Sequence, residues 1–100
     1  MTSTELPSHV LLRLSAQRAL WGAITPNLRA VSADIRGTVI RWRADFDLPP
    51  TEEELELLSV AATEVIADFP APWTIDEEVR VIPSPTPMEH LTHLLFLRHE

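Results

Sequence analysis

The side chains with most chemistry to offer fall in two acidic groups: Glu52, Glu53, Glu54 and Glu56, then Asp76, Glu77 and Glu78. Acid–base catalysis by a carboxyl pair needs one member in an apolar setting that raises its pKa, and none of these acids sits in one. Binding to a basic surface needs only exposure and density, and both groups have those. Glu54 has another duty. Thr51 three residues earlier completes a capping box, in which the Thr hydroxyl accepts from the Glu54 amide and the Glu54 carboxylate from the Thr51 amide. The candidate partner-binding residues are therefore Glu52, Glu53, Glu56, Asp76, Glu77 and Glu78. Trp73, which follows the stiff Pro70-Ala71-Pro72 turn with Phe69 on its other side, is the candidate aromatic anchor.

The second constellation is Glu89-His90-x-x-His93, with His99 beyond. On a helical turn, two His three residues apart could both reach Zn²⁺; on a strand the same spacing sends them to opposite faces. The segment reads as strand, and the order is not the H-E-x-x-H of zinc proteases. No metal ligand set is assigned and no cofactor is expected. The chain has no Cys, which removes thiol catalysis and disulfides. With two Gly there is no phosphate-cradling loop, and no G-x-S-x-G is present. The expectation is a protein without enzymatic activity.

Charge divides the chain. Residues 1–50 carry six Arg against four acids, and residues 51–100 carry two Arg against eleven. The halves sum to −7 overall, with +2 on the first and −9 on the second. Arg41 and Arg43 flank Trp42, as in a base-stacking surface, but the net charge would repel phosphates, so no nucleic acid is expected. No apolar run is long enough to span a membrane and no basic leader precedes one, which points to the cytoplasm.

One hundred residues make one domain, with residues 1–7 as a flexible lead. Ser8 as N-cap, with Leu12, Ala16, Ala19, Leu20 and Ala23 in helical phase, predicts a helix over 8–22. Alternation predicts strands over 28–35 and 38–46, joined at Arg36 and Gly37 as a hairpin. After Pro49 and Pro50, the stripe Leu55, Leu58, Ala62, Val65, Ile66 and Phe69 predicts a second helix. Strands follow over 74–82 and 90–98, separated by a proline-rich loop.

The order αββαββ makes an α+β two-layer sandwich: a four-stranded antiparallel sheet with both helices on one face. A permuted ferredoxin-like arrangement fits, with the second and fourth strands central and the acidic third strand at an edge. In it the two acidic groups lie at opposite ends of the second helix. The expected core is Ile40, Trp42, Phe46, Leu58, Ala62, Val65, Ile66, Val79, Val81 and Leu95.

The run from Gln17 to Val31 resembles a family of small bacterial single-domain proteins without an assigned activity. So do the run from Ala62 to Phe69, Ile75-Asp76-Glu77-Glu78, and the final Phe96-Leu97-Arg98-His99-Glu100. The resemblance spans nearly the whole chain and implies a bacterial cytoplasmic protein, with no site residues to carry over. In general character the chain is similar to immunity proteins, which neutralise basic toxins. The expected function is an acidic, immunity- or antitoxin-like module binding a basic protein partner. The alternatives are a self-associating homodimer, in which the +2 half of one copy meets the −9 half of another, and a small metal-dependent enzyme.

Overall fold

The computed structural model describes residues 6–100; residues 1–5, within the lead expected to be flexible, lie outside the described residues. Its elements are α1 (Ser8–Ala19), β1 (Leu28–Arg36), β2 (Val39–Phe46), α2 (Glu52–Ala67), β3 (Thr74–Val81) and β4 (His93–Leu97). The α+β class and the αββαββ order are as expected. The sheet differs in its pairing.

Strand order is β3-β2-β1-β4, with β1 antiparallel to β2 and to β4, and β2 parallel to β3. The sheet is therefore mixed and not antiparallel throughout, and β1 with β2, not β2 with β4, forms its centre. The permuted ferredoxin-like arrangement is not what forms. The cause lies between β2 and β3. A connection containing a 16-residue helix is a crossover, and crossovers return the chain parallel to the strand it left.

Each element forms for local reasons. α2 starts at the predicted capping box, with Thr51 Oγ1 accepting from the Glu54 amide at 3.1 Å and Glu54 Oε1 accepting from the Thr51 amide at 2.9 Å. α1 starts at Ser8, but Pro7 and not Ser8 is its N-cap, no side chain caps it, and it ends at Ala19, short of the expected 22. Gly37, at φ +61°, takes the first central position of the two-residue β1–β2 turn, as a type II′ turn requires.

The two faces of the sheet differ in kind. One carries Val31, Ala33, Ile40, Trp42, Ala44 and Phe46, and both helices cover it with Leu12, Ala16, Leu58, Ala62 and Val65. The other carries Ser32, Asp34, Arg41, Arg43, Asp45 and Arg80, which the register places side by side. The β3–β4 connection, residues 82–92, runs across this second face as a strap. Arg43 Nη1 and Arg80 Nη2 both donate to the Glu89 carbonyl, at 2.8 and 2.9 Å, and the Leu91 amide donates to Ser32 Oγ at 3.0 Å. With helices on one side and strap on the other, residues 28–34 of β1 are all buried.

Most of the expected core is in place. Ile40, Trp42, Phe46, Leu58, Ala62 and Val65 are buried, and Ile66 and Leu95 pack against them half-buried. Val79 and Val81 are not core. They share the parity of the helix-covered face but lie on the edge strand, at 45% and 41% exposure.

Candidate partner-binding face

The division of charge along the chain is largely settled inside the molecule. Five ion pairs join the first half to the second: Arg18–Asp68, Arg29–Glu100, Arg43–Glu78, Asp45–Arg80 and Asp47–Arg98. Arg41 pairs with Asp34 across the hairpin. Among the described residues only Arg13 and Arg36 of the eight Arg have no such bridge.

The tightest clamp is Arg29, whose side chain is 3% exposed. Its Nε and Nη2 donate to the two Glu100 carboxylate oxygens, each at 2.7 Å, while Nη1 donates to the Ile82 and Thr86 carbonyls at 2.6 and 3.0 Å. A buried guanidinium is tolerable because every face of its fork has an acceptor. Hydrogen bonds from Arg29, then Arg98, hold the Glu100 carboxyl down to about 2. Asp47 is lowered by the Ser84 amide first and Arg98 second, and Asp34 by Arg41.

Besides Arg13 and Arg36, the unbridged charges among the described residues are acidic and fall mostly on α2 and β3. Among the described residues, Glu52, Glu53, Glu56 and Glu64 of α2 and Asp76 and Glu77 of β3 carry no ion pair, and neither does Glu89 of the strap. Glu54 is drawn inward: beyond its cap it accepts from Thr25 Oγ1 at 2.7 Å, and its pKa is lowered, by the Thr51 amide first. Glu78 donates nothing to the open face, since it accepts from Arg43 at 2.6 Å.

The two acidic groups do not sit at separate ends of α2. Ser59 Oγ meets Glu77 Oε2 at 3.5 Å, so the middle of β3 faces the middle of the helix. Glu52, Glu56 and Ser59 lie along one stripe of α2 by the 3.6-residue turn, so this contact brings Glu77 into line with them. Leu55 is one turn before Ser59, and Val79 is two residues beyond Glu77. Both steps measure about 6 Å, and the chain reverses between α2 and β3, so Leu55 and Val79 lie together. Leu55, Val79 and Val81 are exposed at 38%, 45% and 41%, an apolar strip within the acids.

Trp73 is not on this strip. Its ring packs on Phe69 with centroids 4.9 Å apart and planes at 49°, closing the end of the core half-buried. Sequence reasoning missed a different Trp. Trp21, 85% exposed, borders a groove of about 540 Å³ with Leu6, Leu11, Leu14, Gln17 and Arg18 on the outer side of α1. The one available signal was phase: Leu14 and Trp21, seven residues apart, fall off the stripe of Leu12, Ala16 and Ala19.

The histidines form no ligand set. His90 precedes β4, and His93 stacks on His9 of α1 at 6.3 Å with planes at 10°. Burial first, then Arg13 and His9, lowers the His93 pKa. Among the described residues no three His, Cys, Asp or Glu side chains converge as a metal site, and no helix is long and apolar enough to cross a membrane.

The family model described as MafI2 immunity protein matches residues 9–100. The chain belongs to the MafI2 immunity protein family. The match takes in all six elements from the first turn of α1 onward, and so includes both the strap and the acidic face. No curated protein matches this MafI2 family member.

Proposed function

We propose that this chain is an immunity protein that neutralises a basic toxin by binding it through the acidic α2–β3 face. The observation that carries the reading is the residue of charge after internal pairing. Among the described residues six unbridged acids lie on α2 and β3, and three of them, Glu52, Glu56 and Glu77, border an exposed apolar strip of Leu55, Val79 and Val81. An apolar centre with a charged rim is the layout of a protein-binding surface, where the rim steers encounter and the centre holds the complex. The family supplies the class of partner.

Self-association through opposite halves loses its main support, because the halves pair within one chain. Co-expression with a candidate basic toxin domain tests the reading. Wild-type protein and the Trp21→Ala variant should both restore growth, whereas Glu53→Lys/Glu56→Lys together should protect poorly at equal protein level. Equal protection by all three would remove the acidic face from the account.

A further inference from the structure

β3 is an edge strand unlike β4. It is eight residues long, and its register with β2 runs unbroken from Val39–Thr74 to Phe46–Val81. β4 has five residues, and its pairing with β1 shifts register between Val31 and Ser32. A long, regular edge exposes a row of backbone donors and acceptors, and such a row is a template for another strand.

The backbone phase shows which groups are free. The Thr74 amide donates to the Thr38 carbonyl and the Ile82 amide to the Phe46 carbonyl, each toward β2. Alternation then turns the N–H and C=O of residues 76, 78 and 80 toward β2 as well. Those of Ile75, Glu77, Val79 and Val81 point away from the sheet. The side chains of these four residues lie on the helix side, where Glu77, Val79 and Val81 are exposed. Asp76 flanks them on the other side.

We infer that the β3 edge takes up an extended, basic strand of the toxin, hydrogen-bonded to the backbone of Ile75, Glu77, Val79 and Val81. This rests on the immunity reading above and specifies how the toxin is held. The acids choose the occupant. A basic side chain across from Glu77 or Asp76 gains an opposite-charge cross-strand pair, and an apolar one finds Val79 and Val81. A second copy of this chain would instead set the run Asp76-Glu77-Glu78 against itself, so the same acids that admit a basic strand reject self-pairing.

The test uses the full chain, a candidate basic toxin domain, and Val79→Pro. Proline at 79 removes an outward amide and leaves every β2–β3 hydrogen bond in place, a position where edge strands accept it. Val79→Thr keeps the amide and serves as its partner. Val79→Pro should weaken binding at least tenfold with an unchanged melting temperature, and Val79→Thr should bind within about twofold of wild type. Independently of any variant, the amides of Glu77, Val79 and Val81 should gain hydrogen-exchange protection in the wild-type complex, which keeps the inference testable if Val79→Pro misfolds. Strand addition is overturned, with toxin binding intact, if these amides exchange as in the free protein or Val79→Pro binds normally. If the toxin domain does not bind wild-type protein, the immunity reading itself falls.

Discussion

The two faces of one sheet are held by different physics. Toward the helices, Trp42, Phe46, Ile40 and Val31 are at 1% exposure or less and belong to one apolar cluster. Toward the strap, Asp45 is equally buried at 1%, but it meets Arg80 through two hydrogen bonds of 2.7 and 3.0 Å. The apolar face is non-directional and drives collapse. The charged face selects one placement of the strap, because each guanidinium fork accepts a single geometry. A 100-residue chain gains a second buried layer without a second set of helices.

This contrast can be broken in graded steps. Trp42→Ala on the apolar face should cost about 3–5 kcal/mol, read by urea denaturation, from lost transfer energy and the cavity left behind. Its effect should be nearly independent of salt. Arg29→Met on the charged face should cost less, about 2–3 kcal/mol, by leaving two strap carbonyls without a donor and Glu100 without its clamp. The Leu91 amide, bonded to Ser32, should then exchange faster while the amides of α2 keep their protection.

Acid should find the same face. Glu100, Asp47 and Asp34 all have lowered pKa values in the folded protein, so the unfolded chain binds more protons as pH falls. Their stabilisation is fully present above the unfolded carboxyl range. For Glu100 it is lost between its ordinary 4.5 and about 2. A melting-temperature series from pH 6 to pH 2 should fall less steeply in Arg29→Met than in wild type. The smallest effect is expected outside both faces. Trp21→Ala, at an 85% exposed site, should change stability by no more than about 0.5 kcal/mol.

How much of this was legible in the sequence follows from the range of each interaction. The α2 start was readable because Thr51 and Glu54 are three residues apart, and the hairpin because Gly37 marks its turn. Strand order was not, since it depends on where a 16-residue crossover returns the chain. The parity of Val79 and Val81 was right, but their burial depends on how far α2 overhangs the edge, which no local pattern encodes. The same holds for the charge imbalance. Arg29 and Glu100 are 71 positions apart, so the sequence shows their charges but not that they cancel. Of the candidate site, Glu52, Glu53, Glu56, Asp76 and Glu77 have no ion pair among the described residues, Glu78 pairs with Arg43, and Trp73 packs at the core's end.

The central claim is that the acids left over on α2 and β3 bring a basic toxin to this chain. Stopped-flow association with a candidate basic toxin domain, across a salt series, tests it most directly. Wild-type association should be fast at low salt and slow steeply as salt rises, and Glu53→Lys/Glu56→Lys should slow it about tenfold or more and flatten the dependence, with a smaller change in dissociation. An association rate indifferent to both salt and charge reversal would contradict the account and leave these acids as solubilising groups.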